Sequence, residues 1–276
     1  MKELIVPSSP SKEIKMAFRI LITGASSGIG REMAVRLAKE KHKIAITGRR
    51  EEALRETADQ IEKEGGKALV LVGDTTDPQT VIRHYGEIQN QWGGLDWAIL
   101  NAGISLRNPG NQFSAAAYKK TFETNVLGAA YWLEAVIPDM VKAKNGTIAG
   151  IASLAGFVGL PRSGAYSSSK SALMVLLESL RVDLAASNVS VVTICPGFIK
   201  SEMTDKNDPR DMVFVLDAKI GAKKIIDAIK KKKRLFYFPW PLALPMAWVL
   251  PNLPRGVYDF IARRILKRRL KDGKKC

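Results

Sequence analysis

Between Phe18 and Cys195 the chain alternates short apolar runs with longer amphipathic stretches, joined by turns that carry glycine. Few folds accept that alternation. A short run that is apolar at every position has no side to show to water, so it must be covered on both faces. Phe18–Thr23, Lys43–Thr47, Ala68–Val72, Trp97–Leu100, Thr147–Ala152 and Ser190–Cys195 have this character. Ile29–Lys39, Glu51–Glu64, Pro78–Trp92, Ala115–Ala143 and Gly164–Ser187 lie between them with helical spacing, and Pro138 is where a kink is expected. Strand, helix, strand in regular turn predicts an α/β fold, a doubly wound parallel sheet with helices on both faces.

No low-complexity linker interrupts the first two hundred of the 276 residues, and no repeat of fixed period is visible. The expected organisation is an arm over residues 1–17, one dinucleotide-binding catalytic domain over 18–234 and an extension over 235–276. Pro7 and Pro10, with no long apolar stretch around them, exclude a secretory leader in the arm. The two cysteines, Cys195 and Cys276, read as reduced thiols, which suits a cytoplasmic setting. His42 and His84 have no partners at ligand spacing, so no metal site is expected.

The first strand leads into Thr23-Gly24-Ala25-Ser26-Ser27-Gly28-Ile29-Gly30 and then a helix. Glycines permit a tight turn and let a pyrophosphate approach the backbone. The helix N-terminus then offers free N–H groups and the positive end of its dipole. The spacing is G-x-x-x-G-x-G rather than the commoner G-x-G-x-x-G. The second strand ends in Gly48-Arg49-Arg50, with no acid to hold a ribose 2′-hydroxyl. Guanidinium suits a 2′-phosphate, so NADP(H) is expected over NAD(H).

Tyr166 and Lys170 stand four apart in Gly164-Ala165-Tyr166-Ser167-Ser168-Ser169-Lys170, on one face of a helix. An ammonium beside a phenol favours the phenolate, which predicts a lowered Tyr166 pKa and a proton-transfer role. Ser153 follows the fifth strand, at the sheet edge where ligands bind in such folds.

Together Thr23–Gly30, Asn101-Ala102-Gly103, Ser153 and Tyr166-x-x-x-Lys170 resemble the short-chain dehydrogenase/reductases, which have a Rossmann-like fold. The resemblance covers about Phe18 to Met203. Asn125, in Glu123-Thr124-Asn125-Val126-Leu127-Gly128, resembles the family's catalytic asparagine. Pro196-Gly197 with Ile199 and Ser201 resembles its nicotinamide-side motif, with serine where threonine is commoner. The resemblance implies that Tyr166 exchanges the proton of a carbonyl or alcohol and that Ser153 orients that oxygen. It implies that Lys170 tunes Tyr166 and binds the nicotinamide ribose, and that Asn125 holds a water of a proton relay. It further implies that Asp74 meets the adenine with Thr75 beside it, that Asn101 to Gly103 support the adenosine side, and that the chain forms homodimers or homotetramers through the helices bearing Asn125 and Tyr166.

Lys219 to Cys276 hold 17 lysines and arginines against 3 acids, a net +14 of the chain's +16. The body is nearly neutral and the tail is strongly basic. Lys230–Arg234 is followed by twenty uncharged residues, Leu235–Pro254, whose five prolines oppose a continuous membrane span. Arg255–Lys275 has mixed basic and apolar helical spacing. A pocket lid and a peripheral contact with an anionic membrane both fit this tail. A nucleic-acid partner is not expected, because no base-reading element is visible. The expected activity is carbonyl/alcohol interconversion on a lipophilic small molecule. A 3-oxoacyl carrier-protein reductase and a non-catalytic NADP-sensing scaffold are the alternatives.

Overall fold

The computed structural model describes residues 17–205 and 212–271. All but the last residue of the expected arm, and Cys276, lie outside them. Seven strands form one parallel sheet. They are β1 (Arg19–Thr23), β2 (Lys43–Gly48), β3 (Lys67–Val72), β4 (Trp97–Leu100), β5 (Gly146–Ile151), β6 (Val189–Pro196) and β7 (Leu235–Phe238). The spatial order is β3-β2-β1-β4-β5-β6-β7, so the winding reverses between β1 and β4. In such sheets ligands bind at that reversal, beyond the C-terminal strand ends.

Helices α1 (Gly28–Ala38), α2 (Glu51–Lys63) and α7 (Ala218–Lys230) cover one face, burying Leu37, Leu54, Ile61 and Ile225 against Ile20, Ile22 and Ile46. Helices α3 (Pro78–Trp92), α5 (Gly128–Ala143) and α6 (Gly164–Asp183) cover the other, burying Ile88, Trp132, Val136 and Leu177 against Leu21, Ala98 and Ile148. Helix ends follow local chemistry. Asp77 accepts a hydrogen bond from the Gln79 N–H ahead of Pro78, and Gly93 closes α3 in the left-handed conformation. Asp217 caps α7 in the same way, through the Lys219 N–H.

Three differences from the sequence expectation matter. The stretch from 115 to 143 is α4 (Ala115–Phe122), a π turn over Glu123–Leu127, and α5. Its irregularity falls at Asn125, while α5 runs through Pro138. Leu235–Phe238, assigned above to the extension, pairs with β6 and is the sheet's last strand. The extension therefore leaves the sheet only at Pro239. Helix α7 was read only as charge, although Ile225, Ile226 and Ile229 are buried at helical spacing.

Both histidines are held as core side chains. His42 Nδ1 accepts from the Phe18 N–H, and the Val72 carbonyl accepts from His84 Nε2. Burial pushes both imidazoles below their ordinary pKa. Cys195 is a free, buried thiol.

Candidate active site

The ends of β1, β4, β5 and β6 bring the predicted residues to one edge of the sheet. At the first turn Gly24 has φ +67°, and a Cβ there would lie 2.9 Å from the Ala102 Cα. Only glycine allows both. The Asn101 and Ala102 N–H groups donate to Thr23 Oγ1 at 2.9 Å, and Asn101 Nδ2 donates to the Thr23 and Gly24 carbonyls. Asn101 thus locks the end of β4 to the turn. Gly30 packs against the Gly24 carbonyl, and Ile29 is held against the core. Ser27 precedes α1 without a capping bond from its own side chain, and no acid stands in the first turn. That leaves the helix N-terminus electropositive, which suits a phosphate. The turn therefore fits the pyrophosphate of a dinucleotide.

At the end of β2, Arg50 donates to Ser26 Oγ at 3.1 Å and Ser27 Oγ at 2.8 Å, and pairs with Glu202 at 2.9 Å. Arg49 lies 3.6 Å from the Asp74 carboxylate. Asp74 also accepts from the Thr76 N–H and hydroxyl, and Thr75 donates to the Gly128 carbonyl. Glu202 was not foreseen.

The residues expected to be catalytic converge beyond β5 and β6. Ser153 follows β5, and its Oγ accepts from the Ala155 N–H. Helix α6 presents Tyr166 and Lys170 on one face, with the Lys170 Nζ 5.8 Å from the centre of the Tyr166 ring. Lys170 is 4% exposed, and its Nζ donates to the Ile151 carbonyl at 2.7 Å. A Cβ on Gly103 would come within 3.1 Å of Asn125 Oδ1 and 3.2 Å of Lys170 Nζ, so Gly103 floors the same space. Asn125 is fully buried. Its Oδ1 accepts from the Ile104 N–H at 2.7 Å, and its Nδ2 donates to the Ile104 carbonyl and to Ser169 Oγ. Its side chain thus clamps the loop after β4.

Burial raises the Tyr166 phenol, and a hydrogen bond with Ser153 opposes that rise. The lowering expected from Lys170 is not found. Solvent exclusion dominates, and the ammonium is spent on the Ile151 carbonyl. Burial also depresses Lys170, to about 8. Cys195 lies below this group. Burial lifts its thiol to about 12, against the charge of Lys170 and a hydrogen bond from the Ser153 N–H.

Pro196 ends β6, and the Gly197 N–H donates to the Phe238 carbonyl at 2.7 Å. Ile199 is buried against Gly221, and the Ser201 N–H donates to Thr204 Oγ1 at 2.8 Å. This segment forms the wall opposite the phosphate turn.

The sheet order and this edge can be set beside known proteins. The family model described as short chain dehydrogenase matches residues 19–211. The chain belongs to that family. An uncharacterised oxidoreductase of Myxococcus xanthus is 37% identical over 254 residues, 91% of this chain and 99% of that protein. A 3-oxoacyl-[acyl-carrier-protein] reductase of Staphylococcus aureus is 31% identical over 70% of this chain and 78% of its own length. A short-chain type dehydrogenase/reductase from Mycobacterium marinum superposes with a TM-score of 0.73 at 26% identity, over 80% of this chain and 92% of that one. The short-chain dehydrogenases are oxidoreductases that use a nicotinamide cofactor and act on small molecules.

Beyond Pro239, α8 (Trp240–Leu244) and a π turn over Pro245–Val249 lie against the ends of β5 and β6. Leu242, Ala243 and Met246 pack on Leu154, Phe157 and Cys195. Helix α9 (Arg255–Lys271) follows, and the Gly159 carbonyl accepts from the Tyr258 hydroxyl. Between α9 and the loop before α6 lies a cleft of about 350 Å³, lined by Leu160, Pro161, Gly164, Tyr258, Ala262 and Leu266.

Proposed function

We propose that this chain is an NADP(H)-dependent reductase of a lipophilic carbonyl compound, with Tyr166 as the proton donor. The observation that carries the reading is the meeting of a half-buried Tyr166 with buried Ser153 and Lys170 at the ends of β5 and β6. Bound along this edge, NADPH would supply a hydride to the carbonyl carbon. The raised Tyr166 pKa keeps the phenol protonated at neutral pH, ready to donate to the carbonyl oxygen. Ser153 would hydrogen-bond that oxygen and hold it in line. Lys170 is mostly charged below pH 8 and, while bonded to the Ile151 carbonyl, lies 5.8 Å from the centre of the Tyr166 ring, where its charge would offset that of a phenolate once the proton has left. Asn125 acts by position: it fixes the loop that floors the site, and a water held there would link Lys170 to solvent.

Arg49 and Arg50 at the end of β2 favour NADP(H), with Asp74 and Thr75 bordering the adenine side. Leu242 and Met246, packed against Leu154 and Cys195, and the cleft that Leu160 and Pro161 share with α9 favour an apolar substrate. The test is loss of NADPH absorbance across a panel of ketones, aldehydes and 3-oxoacyl thioesters. Turnover of apolar ketones supports the reading, whereas turnover of the carrier-bound thioester alone selects a carrier-protein reductase. Binding of NADPH with no turnover selects the sensing scaffold.

Two further parts of the reading rest on surface chemistry. Val175 and Val182 on α6 and Leu127 before α5 are exposed apolar side chains, which supports homo-oligomer formation through these helices. Trp240, Leu244 and Trp248 recur every four residues and stay exposed, at 64%, 48% and 60%, while Leu242, Ala243 and Met246 face inward. Exposed Arg263, Arg264 and Lys267 of α9 follow in the chain. An outward aromatic row with a basic helix suits an anionic bilayer surface. Among the described residues no helix is long and apolar enough to cross a membrane.

A further inference from the structure

Arg50 and Glu202 are 152 residues apart in sequence, and their side chains meet at 2.9 Å. Arg50 belongs to the end of β2, and Glu202 to the segment that follows β6. The guanidinium has three internal acceptors: Ser26 Oγ, Ser27 Oγ and the Glu202 carboxylate. Two of these belong to the phosphate turn. The third is an anion brought to the mouth of that turn by the far wall. The wall is built to hold it there. The Thr204 N–H and the Asp205 N–H both donate to the Ser201 carbonyl, and Thr204 Oγ1 receives the Ser201 N–H and donates to the Ile199 carbonyl. Ser201 itself touches the turn, with its Cβ 3.2 Å from where a Gly28 Cβ would stand.

We propose that Glu202 competes with the 2′-phosphate of NADP(H) for Arg50, and so sets how strongly the protein prefers NADP(H) over NAD(H). The inference rests on the cofactor reading above. A carboxylate and a phosphate cannot share one guanidinium without repelling each other, because both are anionic acceptors seeking the same fork of donors. The 2′-phosphate must therefore displace Glu202, and part of the attraction of Arg50 is spent in the exchange. NAD(H) has no group to drive that exchange. The preference is consequently lower than two arginines and an electropositive helix end would otherwise give. Arg49 is also matched, with Asp74 at 3.6 Å, but that acid comes from the neighbouring strand end on the same wall.

Both partners are exposed, so the pair is of the weak surface kind and its removal changes affinity modestly. The experiment titrates the full chain with NADPH, NADH and 2′,5′-ADP, read by protein fluorescence or calorimetry rather than turnover. Glu202→Gln keeps size and hydrogen bonding but removes the charge. It should tighten NADPH and 2′,5′-ADP about three- to five-fold and leave NADH unchanged. In an Arg50→Gln background the same change should have no effect, which separates competition for Arg50 from general repulsion between anions. Unchanged or weaker NADPH binding by Glu202→Gln would overturn the proposal, and equal weakening of NADPH and NADH would make Glu202 a clamp instead. If the unmutated protein binds NADH as tightly as NADPH, the cofactor reading fails and the proposal with it. If it prefers NADPH and Glu202→Gln gains nothing, only the proposal fails.

Discussion

Replacing Lys170 by methionine should abolish turnover and yet make the protein more stable at neutral pH. The side chain is 4% exposed, and its ammonium makes one hydrogen bond, to the Ile151 carbonyl. Burial lowers its pKa from 10.5 to about 8. A gap of about 2.5 units corresponds to roughly 3 kcal/mol by which the fold disfavours the charged form. Methionine has similar length and no charge to bury. Between pH 8 and 10.5 the unfolded chain holds a proton at this lysine that the folded chain has lost. The cost is therefore complete below pH 8 and fades as pH rises toward 10.5, so stability contributed here climbs with pH. The stability advantage of Lys170→Met should shrink by about 1 kcal/mol between pH 7 and pH 9. Urea unfolding of both proteins at the two pH values, at constant salt, measures it. Other titrating groups cancel in the difference, and the Cys195 thiol, at about 12, lies above the window. An advantage that does not change with pH, or a variant less stable at both values, would refute the reasoning that a charged lysine is buried here at a cost.

Tyr166→Phe should remove turnover while NADPH binding persists, since only the phenolic oxygen is lost; near-normal kcat would remove Tyr166 from the mechanism. Arg49→Asp should narrow or reverse the preference for NADPH over NADH, read by titration of both. Asn125→Ala should cost about 1–2 kcal/mol in urea unfolding, because the part-buried Ile104 N–H and carbonyl lose their partner. The protein should sediment with phosphatidylglycerol vesicles and not with neutral ones. Trp240→Ala with Trp248→Ala should reduce the part of that binding that survives high salt, and indifference to anionic vesicles at low salt would exclude the membrane contact.

Much of the fold could be read because buried parallel strands leave an unmistakable trace. Ile20 to Ile22, Ile44 to Ile46 and Ile148 to Ile151 have no polar side, and each is covered on both faces. The phosphate turn and the Tyr166–Lys170 pair were legible because each acts over a few residues. What escaped was set by distant chain. Strand β7 was hidden in an uncharged run whose prolines obscured its first four residues. The stripe of Ile225, Ile226 and Ile229 was masked by the lysines interleaved on the outer side of α7. Glu202 carries no local signal, since its partner comes from the other end of the domain. The direction of the Tyr166 shift was misjudged for a related reason. Spacing places Lys170 one turn away, but it says nothing about the Ile151 carbonyl that takes the ammonium or about how little water reaches the phenol.

Strand β7 is the outermost strand beyond β6, so among the described residues one of its sides has no neighbouring strand. Such an edge invites the strand of another molecule to add on, and a sheet that grows between molecules aggregates. Here the strand is short, and the five residues before it, Lys230–Arg234, are all basic and exposed. Lys233 lies over the ring of Phe236, 4.6 Å from its centre, so one of these charges sits on a side chain of the strand itself. Two copies approaching edge to edge would press the four charges of Lys231–Arg234 in each against one another, Lys230 being paired with Glu40. A basic run beside such an edge disfavours the stacking of one copy on another.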